Sequence, residues 1–149
     1  MIKLRADFGS SLVIKLQNLD PRSPRFKQAQ FMIGSHIRNA AIENITAVGA
    51  VDTGLLRSSI RFDIRTMKGA SLLNVGAFGT PYARMVEYGG PFTDRMRRAM
   101  FARFKEEGRK PRPGKGVIRG GHYEERPFLR PAIKNSEDYI LETLRGIAK

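Results

Sequence analysis

The sequence predicts an α+β fold: one long helix in the N-terminal half and a C-terminal helix, packed on a small, mostly antiparallel sheet. Three observations carry this. Apolar residues recur at three- and four-residue spacing from Phe26 to Val48, apolar and charged residues alternate strictly from Ile60 to Arg65, and a second amphipathic stripe runs from Ile133 to Ile147. The 149 residues suit a single domain, 1–149, with one core.

Taken in order, residues 2–18 read as short extended or mixed segments, with "SLVIKLQNL" ambiguous between strand and helix. Ser23 is suited to cap a helix and Pro24 to its first position, where the missing N–H costs nothing. Phe26, Ala29, Ile33, Ile37, Ala40, Ala41, Ile45 and Val48 then form one stripe for burial, and Gly49 is a natural stop. "SIRFDIRTM" is a half-buried strand, with Ile60, Phe62 and Ile64 on one face and Arg61, Asp63 and Arg65 on the other. "KGAS" reads as a turn and "LLNVGAF" as the second strand of a hairpin. In "GTPYARMVEYGG" the pair Thr80-Pro81 repeats the cap-then-proline signal and Gly89-Gly90 ends a short helix. The final helix starts near Pro131 or near Asn135-Ser136, with Ile133, Ile140, Leu144 and Ile147 as its apolar stripe. Glu137 and Asp138 fall in its first turn, where the helix dipole favours them.

A basic helix-plus-loop insertion is expected at about 92–122. "TDRMRRAMFARFKEEG" has a cap in Thr93 or Asp94, a stripe of Met96, Met100 and Phe104, and a stop at Gly108. The Pro- and Gly-rich "RKPRPGKGVIRGGHYEE" that follows reads as a loop. From Arg95 to Arg119 there are ten basic and two acidic residues, so this window holds +8 of the net +13. Such a charge points to a polyanion or an acidic protein surface. Arg95, Arg97, Arg98, Arg103, Lys105, Arg109, Lys110, Arg112, Lys115 and Arg119, around the stripe of Met96, Met100 and Phe104, are therefore the partner-contact candidates. Closely spaced cations could neutralise phosphates, with Phe101, Phe104 and Tyr123 available for stacking. An apolar stripe flanked by arginines equally suits docking on an acidic protein. Ordering so polar a segment costs roughly 1–2 kcal/mol per residue with few apolar contacts in return, so it is expected to become ordered only on assembly.

Catalytic motifs are tested and set aside. Asp52-Thr53-Gly54 has the letters of an aspartic-protease centre. That chemistry needs two such aspartates sharing a proton, each on a loop leaving a strand, whereas here a helix precedes the motif and no second copy exists. The simpler reading is a turn capped by the Asp52 carboxylate or the Thr53 hydroxyl. "GRKPRPGKG" fails as a phosphate loop: five residues, two of them proline, separate Gly108 from Gly114-Lys115, and Gly116 replaces the Ser or Thr that would hold magnesium. The only histidines, His36 and His122, lie in distant segments, and there is no cysteine, so neither a metal site nor another cofactor is expected. No segment is apolar enough to span a membrane, and the N-terminus lacks a signal-peptide pattern.

Three stretches together resemble a known family. "VDTGLLRSSI" (51–60), "VGAFGTPYARMVEYGG" (75–90) and "ERPFLRPAI" (125–133) are similar, in content and order, to the neck or tail-completion proteins of long-tailed bacteriophages, which include relatives of minor tail protein Z. The resemblance covers about residues 24–148. It implies that Asp52, Thr53, Gly54, Tyr82, Glu87, Gly89, Pro127, Phe128, Leu129 and Pro131 form a structural motif, with Asp52-Thr53-Gly54 as a helix-to-strand turn. It further implies a non-enzymatic virion component at the head–tail junction, present in the host cytoplasm during assembly. Such a protein forms a closed homo-oligomeric ring, six- or twelve-fold, between a head-side connector or head-closure protein and the tail terminator or tail tube, around phage DNA in the channel. Two departures stand out. Ala50 takes the place of a frequent proline, and residues 91–124 replace what is usually a short link, so the role of that insertion is not implied by the family. The rival reading from the charge alone is a basic nucleic-acid-binding protein.

Overall fold

The structure, a computed structural model, describes residues 2–7, 11–16, 22–48, 54–67, 70–80, 82–91, 93–94, 98, 102, 105–106, 108, 118–119 and 122–147. Its first elements are strands β1 (Ile2–Asp7) and β2 (Ser11–Leu16), which resolve the ambiguous N-terminal stretch as an antiparallel pair with Ile2 opposite Leu16 and Asp7 opposite Ser11.

Helix α1 (Pro24–Ala47) starts as its sequence dictates. Pro24 occupies the first turn, and the Ser23 hydroxyl accepts the Phe26 N–H at 3.2 Å, a cap whose loss typically costs about 1 kcal/mol. Phe26, Ala29, Ile33, Ile37, Ala41 and Ile45 are buried along the expected stripe. The stripe departs from the expected one at three points. Val48 is the exposed C-cap residue, with its N–H on the Asn44 carbonyl at 3.0 Å, because the last turn of the helix has already cleared the core. Ala40 is only half-buried, and Gln30 and Gly34 are buried although neither is apolar. Gln30 Oε1 accepts from the Ser71 hydroxyl at 2.9 Å, while its Nε2 has no acceptor among the described residues.

The segment read as a turn is one short helix, α2 (Gly54–Ser59), which buries Leu56 and closes with the Ser59 hydroxyl donating to the Leu56 carbonyl at 2.8 Å. It leads directly into β3 (Ile60–Met67), which pairs antiparallel with β4 (Ala70–Ala77), Met67 opposite Ala70 at the hairpin end. Ile60 is buried and Phe62 and Ile64 are half-buried against the core, as the alternation predicts. The four strands form one sheet in the order β1-β2-β4-β3, antiparallel throughout, with Leu12 opposite Leu73 where β2 meets β4.

The C-terminal helix is divided in two. Helix α4 (Leu129–Asn135) ends at Ser136 and α5 (Glu137–Ile147) follows, so both expected starts mark a real boundary. Buried Ser136 causes the break. Its hydroxyl donates to the Ala132 carbonyl at 2.6 Å, competing with the regular ladder, while its own carbonyl begins the next helix by accepting the Ile140 N–H at 2.9 Å. Helix α1 is the shared element: it packs on β3 and β4 and against α4 and α5. One core therefore joins Ile33, Ile37 and Ala41 of α1 to Leu73 and Val75 of β4 and to Phe128, Ile140 and Leu144. The α+β architecture read from the sequence is what the structure shows.

Gly34 is where α1 comes closest to the sheet. A Cβ there would lie 2.7 Å from Phe62 Cδ2, 2.8 Å from Phe62 Cγ and 3.1 Å from Leu73 Cδ1, and Phe62 is braced edge-on by Phe31, ring centroids 5.3 Å apart. Overpacking costs about 1–3 kcal/mol, against the roughly 1 kcal/mol that alanine gains over glycine in a helix interior. Gly34→Ala is expected to lower the melting temperature by a few degrees; a raised one would show that the sheet yields at this contact.

Candidate partner interface and the junction that carries it

Helix α3 (Ala83–Tyr88) lies in the second motif stretch. The expected Thr80 cap is not what starts it. The residue before the helix is Tyr82, which makes no side-chain cap bond, and the Thr80 hydroxyl turns back to the Phe78 carbonyl at 3.4 Å. Thr80 contributes its backbone instead, its carbonyl accepting the Ala83 N–H at 3.0 Å. The helix stops at Gly89, whose φ of 65° is one that side-chain-bearing residues seldom adopt. A Cβ on Gly89 would also meet the Tyr123 carbonyl oxygen at 2.8 Å and the Glu125 nitrogen at 2.9 Å, so glycine is required twice over.

The chief feature of this region is the buried Glu87 side chain, 3% exposed. Its Oε2 accepts the N–H groups of Phe128 and Leu129 at 2.8 and 2.9 Å, and its Oε1 accepts the N–H of Arg130 at 2.8 Å. These are the cap position and first two positions of α4, and the next residue, Pro131, has no N–H to satisfy. A helix begins with four N–H groups lacking an intrahelical acceptor; here one carboxylate from elsewhere in the chain takes three and a proline removes the fourth. The positive end of the helix dipole and the charge of Arg130 then offset the cost of burying an anion.

Arg130 completes the junction. Its Nε donates to Glu87 Oε1 at 3.2 Å, its Nη2 donates to the Glu87 carbonyl at 2.8 Å and to Glu125 Oε2 at 2.9 Å, and its guanidinium lies 4.8 Å from the centre of the Tyr88 ring. The hydrogen bond to Glu125, then that to Glu87, raises its pKa against an opposing effect of burial, so the cation is permanent. Nearby, the Arg126 N–H donates to the Val86 carbonyl at 2.7 Å, and Asn44 Nδ2 donates to the Phe128 carbonyl at 3.0 Å, tying the junction to α1. Of the motif residues, Tyr82, Glu87, Gly89, Pro127, Phe128, Leu129 and Pro131 gather here, Tyr82 half-buried against the core and Phe128 and Leu129 within it. Gly54 opens α2 at a distance in the chain; Asp52 and Thr53 lie outside the described residues. Sequence reasoning missed Arg130, Glu125 and Asn44: Arg130 meets Glu87 and Asn44 meets Phe128 from distant parts of the chain, which leaves no spacing signal, and Glu125, although near Arg130 in sequence, lies before the helix and outside any helical spacing.

The same junction roots the basic insertion. Strand β5 (Gly90–Pro91) pairs with β7 (His122–Tyr123), and β7 pairs with β6 (Ile118–Arg119), giving a second antiparallel sheet in the order β5-β7-β6. The insertion thus leaves and re-enters the fold side by side. Within it, Asp94, Arg98, Ala102, Lys105 and Glu106 have helical backbone and are exposed. Gly108, at φ 64° and with its N–H on the Lys105 carbonyl, is a helix stop as expected. Arg98 and Lys105 are therefore placed on the surface, and the backbone of Arg119 is in β6 opposite His122. Arg95, Met96, Arg97, Met100, Phe101, Arg103, Phe104, Arg109, Lys110, Arg112 and Lys115 lie outside the described residues.

His36 stacks on Tyr139, ring centroids 4.1 Å apart, and His122 is in β7. Among the described residues no group of three or more acidic, His or Cys side chains is placed to hold a metal ion, and no helix is long and apolar enough to cross a membrane. No protein-family model, curated protein or solved structure matches the chain.

Two substitutions test the junction. Glu87→Gln keeps the shape but turns an NH2 toward backbone donors, and hydrogen bonds to a charged group contribute about 1.5–3 kcal/mol each. It is expected to destabilise the fold by about 3 kcal/mol in chemical denaturation; a loss under 1 kcal/mol would mean that water replaces the cap without penalty. Phe128→Ala is expected to cost about 3–5 kcal/mol, and unchanged thermal stability together with blocked assembly would make Phe128 an interface anchor instead.

Proposed function

We propose that the chain is a non-enzymatic structural component of a bacteriophage neck, one subunit of a ring that joins the head connector to the tail around the DNA channel. What supports the reading is the junction at Glu87. The second and third stretches of the resemblance, separated by 34 residues (91–124), form one structural unit: the Glu of the former caps the helix that the latter begins. Residues that resemble a family motif and also carry the tertiary structure are what a shared scaffold requires. On this scaffold the insertion, held at its base by β5 and β7, presents its cations to an acidic neighbour in the head–tail junction or to the DNA passing through it. The protein then works by surface complementarity and needs no catalytic group.

Particles made without this protein test the reading: electron microscopy is expected to show DNA-filled heads and tails that fail to join, and normal joined particles would refute it. Limited proteolysis tests the role of the insertion. Trypsin is expected to cut the free protein first between Arg95 and Arg119, and the assembled neck is expected to resist cleavage there. Equal resistance in both states would make the segment an ordinary part of the fold. The rival reading rests on the +8 charge of residues 95–119 and requires salt-dependent nucleic-acid binding by the isolated chain, lost when those arginines are replaced.

A further inference from the structure

Helix α1 and the sheet form two layers, with Ile33 and Ile37 of the helix and Leu73 and Val75 of β4 in the core between them. Each layer therefore has an outer side. On α1 it is the stripe Gln28, Phe31, Ser35, Asn39, Ile42 and Thr46, which recurs at three- and four-residue spacing. Gln28, Phe31, Asn39 and Thr46 are exposed, Phe31 at 59%, while Ser35 and Ile42 are half-buried. The charged residues of the helix, Arg25, Lys27, Arg38 and Glu43, all fall off this stripe. Arg38, beside it, donates from Nε to the Ile60 carbonyl at 3.1 Å. The solvent side of a helix ordinarily carries charged residues, and 28% of this chain is charged. Here the outer stripe has none over about 27 Å.

The outer side of the sheet follows from the β3–β4 register. Ser71, Leu73 and Val75 are buried on the side of α1, so Leu72 and Asn74 point the other way, opposite Arg65 and Asp63. Leu72, Asn74 and Asp63 are half-buried and Arg65 is exposed. The charges of β3 on this side are already engaged. Asp63 Oδ2 accepts from Arg65 Nε at 2.7 Å, and the Arg61 guanidinium lies 5.9 Å from the centre of the exposed Phe78 ring. What remains along β4 is an uncharged row about 26 Å long, close to the length of the α1 stripe.

Net charge decides what can cover these two sides. Copies of the chain carry +13 each and repel one another, so they approach closely only where their surfaces lack like charges. The α1 stripe and the β4 row both meet that condition, and they face opposite ways across the two layers. We infer that subunits of this protein stack helix side to sheet side, the outer stripe of α1 in one copy lying along β4 of the next. The inference rests on the ring reading above and names the surface that closes it. A contact between two different patches of the same chain is heterologous, which is the kind that generates rings.

Sedimentation of the purified full chain tests the contact, at high salt so that the net charge is screened. The unmodified chain is expected to form oligomers. Asn39→Arg on α1 and Asn74→Arg on β4 are each expected to weaken self-association more than about tenfold, because each sets an unpaired cation inside the contact. Circular dichroism is expected to show both variants folded. Mixing the two variants is the decisive step. An Asn39→Arg copy keeps an intact sheet side and an Asn74→Arg copy an intact helix side, so the mixture is expected to give dimers and nothing larger. Gln28→Arg or Leu72→Arg replaces a variant that does not fold. Variants that stay as oligomeric as the unmodified chain would overturn this interface and leave the ring reading standing. Monomers from the mixture would overturn the pairing of helix side with sheet side. An unmodified chain that stays monomeric at every concentration would also overturn the inference, and the particles lacking the protein then decide the ring reading separately.

Discussion

The Glu87 carboxylate is the constraint on which the rest of the structure depends. A buried anion is expensive unless it is fully hydrogen-bonded, and here that requirement dictates what must surround it. Three consecutive N–H groups, from Phe128 to Arg130, converge on two oxygens only because they open a helix. That helix must therefore start at this point, with Pro131 next in line. Once its start is fixed, Phe128 and Leu129 are delivered into the core beside α1, and Asn44 holds the Phe128 carbonyl from the other side. One side chain thereby sets the position of α4, and with it α5, relative to α3 and α1.

That arrangement also accounts for how a long insertion can be tolerated beside it. The ends of the insertion are held by Gly90 opposite Tyr123 and Pro91 opposite His122, and Gly89 lets the backbone at residues 123–125 approach without a side chain between. Loop-closure entropy grows only slowly with length. Residues added between two points that are already fixed therefore cost the core little. The scaffold can keep its packing while the excursion varies in length and charge.

Much of the fold was legible because its signals are local. Ser23-Pro24 and the three-and-four spacing located α1, and alternation from Ile60 to Arg65 located β3. Where the reading failed, long-range contacts decided. Gly34 is buried because Phe62 and Leu73 approach it, Gln30 because Ser71 bonds it, and neither fact has a trace within α1 itself. The break at Ser136 arises from one hydroxyl choosing the Ala132 carbonyl. Thr80-Pro81 resembles a cap in every local respect, yet Thr80 uses its backbone and not its hydroxyl. Glu87 belonged to a motif recognised by resemblance, but its role could not be read locally: a capping box places its acid three residues inside the helix it caps, and this acid lies 41 residues before Phe128.

Amide hydrogen exchange on the unmodified protein tests that role most directly. N–H groups at the start of a helix have no intrahelical acceptor and ordinarily exchange quickly. If Glu87 holds them, the amides of Phe128, Leu129 and Arg130 exchange as slowly as those in the middle of α1, opening only when the whole fold opens. Exchange of these three amides at rates near those of an unfolded chain, while α1 stays protected, would contradict the account.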